Sequence, residues 1–343
     1  MNRFVPTDLL EFPAINYFKY RNRGEVNDFN ISKEFIKTYT PYYGKDPRKF
    51  FHLNSSSNIP ETNWTKEKER GSFIHSTGYS QTLYKPLSPI LQTKKFNPVL
   101  RMITQKYKQK NHNGKERNDT VILFVHGFAE NTFKLHEQSY FRIFNHIFKS
   151  DIIALELPYH FQRQPTDSPF SGAYYLNGNP IRMLESVRQS IQELIYLTEK
   201  LKETYSRTIL FGISLGGHLL AITSQFVEGV DIIAALASPF LFRLNPKIVP
   251  VSTNIVDSIK KEGYTEYYKI LYATNLKYFS PHTTNKNTAI IGGRYDRIVP
   301  FFQVKNLAKM LNKPFFSYPG GHVSIIFWLN SLLNQVNDLF HNC

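Results

Sequence analysis

The chain has one cysteine in 343 residues, and it is the last residue, Cys343. A lone thiol forms no internal disulfide framework and supplies no cysteine cluster for a metal. H-E-x-x-H and Cys/His clusters are also missing, so no metal is expected. The longest apolar runs, such as 232–242, fall far short of the roughly 18 residues that mark a membrane-spanning helix. The opening MNRFVPTDLLEF has no apolar signal-peptide core ahead of its acidic residues, and the expectation is a soluble, cytoplasmic protein. No internal repeat is visible. Acidic residues are in short supply, 27 against 42 Lys and Arg, which leaves a formal charge of +15. Such a surplus can attract nucleic acid, anionic lipid or acidic substrates. The densest basic runs, WTKEKERG and KYKQKNHNGKER, mix signs or carry Asn and Gly, and read as solvated linker surface. Without a recognition motif beside them, no nucleic-acid partner is expected, and peripheral contact with an anionic membrane stays open.

What is present is a globular composition, 41% apolar, with two kinds of patterning. Over 1–118 the periodicity is poor, with NSSSNIPETN and KNHNGKERND as loop-like stretches. Its aromatics, among them Phe4, Phe12, Tyr17, Phe18, Tyr39 and Tyr42, are too many for a disordered tail. An N-terminal extension packing on the rest is expected. From Thr120 the pattern alternates between strand and helix, which predicts an α/β domain over 119–343 with a mostly parallel sheet flanked by helices. Strands are predicted at 121–125, 152–157, 208–212, 232–236, 289–292 and 315–318. Helices are predicted at 137–148, 303–311, 324–340 and, most clearly, 181–205. There Asn179 can cap, Pro180 suits the first position, and Leu184, Val187, Ile191, Leu194, Ile195 and Leu201 form one apolar stripe. The segment 237–281 interrupts the alternation. Its aromatic content, including Tyr267 and Tyr268, predicts a helical lid over an apolar substrate pocket, with packing on the sheet edge as the alternative.

The stretch LFGISLGGHLLAITS carries the first chemical signal. Gly212 and Gly216 stand two residues either side of Ser214, between the strand 208–212 and a helical pattern containing Leu219, Leu220 and Phe226. This is the G-x-S-x-G elbow, in which glycines let a strand turn sharply into a helix and the serine projects from the turn. The alternative is a tight βα turn with an incidental serine. A dinucleotide fingerprint is excluded, because Ser214 stands where G-x-G-x-x-G needs glycine.

A serine nucleophile needs a base and a group to orient that base. AIIGGRYDRIVP places Asp296 in the turn after a strand, and FFSYPGGHVS places His322 after the next strand and before a helix. Separately, Asp296 could be a surface aspartate pairing with Arg294 or Arg297, and His322 a histidine at a helix start. Together and in this order they favour a triad. Two N–H donors for an oxyanion are then needed. Leu215 follows the nucleophile, and VILFVHGFAEN supplies a loop in which His126-Gly127 turns the N–H of Phe128 inward. His126 reads as a structural residue of that loop, and His218 as packing near the elbow. His160 and Arg163 in PYHFQRQP are candidates to bind a substrate carboxylate or phosphate.

From about Thr120 onward the chain resembles the α/β-hydrolase superfamily: His-Gly after the first core strand, G-I-S-L-G-G at the elbow, Gly-x-x-Asp before Val-Pro, and Gly-Gly-His near the end. The resemblance implies a serine hydrolase with Ser214, Asp296 and His322 as its triad. A looser likeness joins LELPYHFQRQP to GISLGGHLL and resembles a poorly characterised subgroup of α/β-hydrolase domain proteins. Some members of that subgroup look catalytically impaired, but here the His-Gly signature and all three triad positions are intact. The expected activity is cleavage of a small-molecule carboxylic ester or thioester, lipid-like or anionic, through an acyl-enzyme; water completes such a cycle, so no cofactor is expected. Two alternatives are kept: a catalytically silent hydrolase fold serving as a binding or scaffold protein, and a binder of nucleic acid or anionic membranes driven by the basic charge.

Overall fold

The structure is a computed structural model that describes residues 8–21, 37–51, 61–70, 73–87, 91, 99–107, 119–240, 269, 271–279, 285 and 287–341. Most of the lid-like segment, including Tyr267 and Tyr268, lies outside the described residues.

Six parallel strands form the centre of one sheet: β5 (Thr120–Val125), β6 (Ser150–Glu156), β7 (Arg207–Ile213), β8 (Asp231–Ala235), β9 (Thr288–Gly293) and β10 (Phe315–Tyr318), in the order β6-β5-β7-β8-β9-β10. Each falls within two residues of its predicted position. They are legible because a strand buried on both faces reads as a nearly unbroken apolar run. In β5, Val121, Leu123 and Val125 face one core and Ile122 and Phe124 the other.

Helix α5 (Pro180–Lys202) covers the first face, together with α6 (Leu215–Thr223). Asn179 caps α5 as expected, its side-chain oxygen accepting from the N–H groups of Ile181 at 3.1 Å and Arg182 at 3.2 Å. On the other face lie α4 (Tyr140–Phe148) and α8 (Leu329–His341). The helix predicted at 137–148 is two, because Ser139 leaves the helical region (φ −126°, ψ −80°) between α3 (Lys134–Gln138) and α4. The helix predicted at 324–340 opens as a 3₁₀ turn, Ser324–Phe327, before α8. Helix α7 (Phe301–Leu311) packs on β9.

The stretch before 119 is more than an appendage on the core. Strands β1 (Asn63–Trp64), β2 (Lys68–Arg70), β3 (Phe73–Gln81) and β4 (Val99–Tyr107) continue the same sheet as an antiparallel wing, with β4 paired to β6. These strands lack apolar periodicity because polar pairs hold them. Ser76 and Thr104 bond across β3 and β4 at 2.6 Å, and Arg101 of β4 pairs with Glu156 directly opposite on β6. Farther along, Tyr39, Tyr84 and the backbone of Leu87 all donate to the buried carboxylate of Glu185 on α5. Helix α1 (Asp8–Arg21), with Pro13 inside it, and the short α2 (Arg48–Phe51) complete this region.

What is described of 237–281 joins the core beside these N-terminal residues. Phe279 stacks on Phe51 at 6.3 Å, and Tyr272 stacks on Tyr278 at 4.1 Å.

Candidate active site

Parallel strands deliver their following loops to one edge, the edge where ligands bind in open α/β sheets. Here β5 leads into His126–Glu130, β7 into Ser214, β9 into Asp296 and β10 into His322.

Ser214 has φ 56° and ψ −113°, a conformation that costs of order 1–3 kcal/mol and persists only when its surroundings enforce it. The enforcement is visible: Ser214 N–H donates to Ala235 O at 2.9 Å, Gly216 N–H to His126 O at 3.1 Å, and His218 N–H to Ser214 O at 3.0 Å. The flanking glycines are required by close approach. A Cβ on Gly212 would stand 2.4 Å from Gly216 O, and one on Gly216 would stand 2.1 Å from Val125 O. Leu215 is the first residue of α6, where an N–H has no carbonyl four residues back within the helix.

Asp296 and His322 meet directly. The imidazole Nδ1–H donates to Asp296 Oδ2 at 2.8 Å, while Oδ1 accepts from the N–H groups of Ile298 at 2.8 Å and Val299 at 2.9 Å. Three donors on one carboxylate leave it little freedom, and the bond to Nδ1 puts the imidazole lone pair on Nε2. Burial pushes His322 down, but the carboxylates of Asp296, Glu11 and Glu130 outweigh it and hold the imidazole above the ordinary histidine range.

Ser214, His322, Leu215 and Phe128 line one cavity of about 550 Å³. Most of the remaining wall is apolar, with Ile15, Leu135, Leu176, Ile213, Val299 and Ile326. A larger cavity of about 740 Å³ lies between β4, the start of β6 and the end of α5, near Asp151 and Tyr205. It contains none of these groups and sits at the opposite end of the parallel strands.

The loop at Phe128 is ordered by contacts that sequence patterning does not reveal. Gly127 N–H donates to Glu130 Oε1 at 2.9 Å, and the other oxygen of Glu130 pairs with His136. Ala129 N–H donates to His160 Nε2 at 3.3 Å. The N–H groups on both sides of Phe128 are therefore engaged within the protein. His126 is fully buried, and its Nε2 accepts from Leu157 N–H at 3.1 Å. His218, one turn into α6, donates from Nδ1 to Ser238 O at 2.8 Å, and burial lowers its pKa to about 4.

His160 and Arg163 do not reach the cavity wall. His160 is 0% exposed, its Nδ1–H bonds Pro158 O at 2.9 Å, and burial holds its pKa to about 3. It supports the Phe128 loop as a neutral ring. Arg163 makes two 2.8 Å bonds to the buried carboxylate of Glu193 and a third, at 2.7 Å, to Glu156 O. A guanidinium held this way is a structural partner of α5. Among the described residues no group of three or more His, Cys, Asp or Glu is arranged to hold a metal, and no helix is long and apolar enough to cross a membrane.

No family model matches the chain, and no curated protein matches it in sequence. Solved structures do match. An acetyl xylan esterase from Paenibacillus sp. R4 superposes with a TM-score of 0.60 over 94% of this chain and 98% of its own, at 11% identity. Acetyl xylan esterase 1 from Thermoanaerobacterium sp. JW/SL YS485 gives 0.58 over 94% and 98%, at 14% identity. An S-formylglutathione hydrolase from Agrobacterium tumefaciens gives 0.52 over 80% and 99%, at 12% identity. The chain has the α/β-hydrolase fold. The α/β-hydrolase core explains why four loops scattered through more than half the sequence converge on one edge. The antiparallel wing lies on the far side of β6 from the elbow strand β7.

Proposed function

We propose that the protein is a serine hydrolase that cleaves a carboxylic ester or thioester through an acyl-enzyme. The observation that carries this reading is the Asp296–His322 hydrogen bond opening onto the same cavity as a serine held at positive φ. In this mechanism Ser214 Oγ attacks the acyl carbon while His322 Nε2 takes its proton. The N–H groups of Leu215 and Phe128 stabilise the oxyanion. As the bond to the leaving group breaks, His322 returns the proton to the departing alcohol or thiol. Water then attacks the acyl-enzyme with His322 again as base, releasing the acid and restoring the Ser214 hydroxyl. Asp296 holds the imidazole tautomer and steadies the imidazolium.

The acetyl xylan esterases and the S-formylglutathione hydrolase among the structural neighbours support this reaction class. The apolar wall supports a lipid-like acyl group, and the net charge of +15 supports peripheral contact with an anionic membrane. With Arg163 committed to Glu193, a substrate carboxylate is not assigned to the PYHFQRQP loop.

The test is fluorophosphonate labelling of the full chain beside Ser214→Ala, followed by a panel of chromogenic esters of increasing acyl length. Labelling at Ser214 with turnover that disappears in the variant is the expected result. A folded wild type that stays unlabelled would overturn it and favour a binding or scaffold role.

A further inference from the structure

The N-terminal helix α1 places a buried carboxylate against the loop that carries His322. Glu11 is 0% exposed, and its Oε1 accepts from the N–H groups of Val323 at 2.9 Å and Ser324 at 3.0 Å, the two residues after His322. The contact has a seat made for it. A Cβ on Gly321 would find three Glu11 atoms as its nearest neighbours: Cδ at 2.5 Å, Oε1 at 2.7 Å and Cγ at 2.8 Å. Gly321 is not among the glycines at positive φ, so space for the carboxylate is what this glycine provides. The rest of the loop is fixed from the core side. Tyr318 OH donates to Gly321 O at 2.5 Å, and Gly321 N–H donates to Ser324 Oγ at 2.8 Å. Three and four residues on from Glu11, Ala14 and Ile15 line the cavity that holds Ser214 and His322.

We propose that Glu11 is a positioning residue for His322: by holding the N–H groups of Val323 and Ser324 it sets where the imidazole stands relative to Ser214, which makes helix α1 part of the active site. The inference rests on the serine-hydrolase reading of that site. A buried carboxylate with only one oxygen hydrogen-bonded is an expensive way to brace a loop, since its Oε2 finds no hydrogen-bond partner. Its negative charge is used by the imidazole. The carboxylates facing His322 are Asp296, Glu11 and Glu130, the last already paired with His136, and all three favour the protonated ring that forms during catalysis.

Four full-length variants test this, after wild type has been shown to react with a fluorophosphonate at Ser214. Glu11→Ala removes both the bonds and the charge, and is expected to lower kcat by about 10- to 100-fold with little change in KM, the effect of a catalytic group displaced by about an ångström. Glu11→Gln keeps an acceptor oxygen and removes the charge. It should recover most of kcat and move the acid limb of the kcat/KM profile to lower pH, because one of the groups raising His322 is gone. Gly321→Ala drives the carboxylate out from the other side and should resemble Glu11→Ala. The double variant Glu11→Ala with Gly321→Ala should be no worse than Glu11→Ala alone, since the clash then has no partner.

Wild-type kinetics in Glu11→Ala would overturn the proposal. So would a Glu11→Gln profile whose acid limb coincides with wild type, which reduces Glu11 to a structural brace. If Glu11→Ala does not fold, the Glu11→Gln limb still decides. Absence of Ser214 labelling in wild type would instead refute the serine-hydrolase reading itself, and this inference with it.

Discussion

The two halves of the site are built in different ways. The half that carries the proposed nucleophile is local: Gly212, Ser214 and Gly216 lie within five consecutive residues, and the contacts that hold Ser214 at positive φ come from Ala235, the last residue of the neighbouring strand β8, and from His126, the residue after β5. The histidine half is assembled from afar. His322 is oriented by Asp296 from another loop, and its own loop is braced by Glu11, which is 312 residues from Val323. A strained turn must be enforced by its immediate neighbours, whereas a histidine on a loop after the last strand can be held by whatever chain covers it. This difference predicts that loss of Ser214 or of His322 itself removes chemistry outright, whereas damage to the distant groups that hold His322 grades it.

The largest expected effect belongs to Ser214→Ala, which should cut turnover on the order of 10⁶-fold while leaving the melting temperature near wild type, with His322→Ala nearly as severe. Steady-state rates of the two single variants and the double variant would check this. A double variant far worse than either single one would show that they do not act as a unit.

Next is Asp296→Asn, expected to lower kcat by about 10³- to 10⁴-fold with a smaller change in KM, because the amide disturbs the imidazole tautomer. Retained activity would assign the orienting role to another carboxylate and dissolve the histidine half as described here.

The pH dependence follows from the raised pKa of His322. As the proposed base, His322 must be neutral to take a proton, so kcat/KM should rise with pH along an acid limb centred above the ordinary histidine value of about 6.5. The stability linked to the same group runs the other way. The folded state binds this proton more tightly than the unfolded state, so its contribution is complete below about 6.5 and is lost as pH rises through the raised value. A pH series of melting temperatures for wild type and Asp296→Asn should show that slope reduced in the variant.

Smaller effects separate the two anchors of the N-terminal region. Ile15→Ala should leave short-chain esters unaffected and penalise long ones, by up to about 0.8 kcal/mol, near fourfold in kcat/KM, for each methylene that loses contact. A uniform loss along the series would place the acyl chain elsewhere. Tyr39→Phe removes one donor from buried Glu185 on α5, a residue outside the cavity of Ser214 and His322. It should lower stability by about 2 kcal/mol in denaturant unfolding with kcat unchanged. An effect on kcat there would erase the distinction between a brace for the core and a brace for the site.

Legibility divides along similar lines. The six parallel strands and the elbow could be read because each is encoded by neighbouring residues: apolar runs for β5 to β10, and glycines at fixed offsets for Ser214. The antiparallel wing was missed because Ser76, Thr104 and Arg101 occupy positions where apolar periodicity would look for Val or Ile, their polarity satisfied only by partners on other strands. Helix α1 was hidden by Pro13 and by exposed Leu9, Leu10 and Phe12, which give no amphipathic signal. His160 and Arg163 looked like anion ligands because a cationic loop has the same composition whether it faces solvent or is paired inward. Only the positions of Glu193 and Ala129 show that both are engaged.

The sequence by itself determined the order of strands and helices from Thr120, the turn that carries Ser214, and the candidates Asp296 and His322, because helix and strand periodicity and glycine spacing are properties of adjacent residues. The tertiary structure alone decided that Asp296 and His322 meet, that Tyr39, Tyr84 and Leu87 converge on Glu185, and that Glu11 reaches the loop of the histidine. The physical reason is burial. A carboxylate withdrawn from water must find donors wherever the folded chain brings them, and no local pattern records which distant segment will supply them.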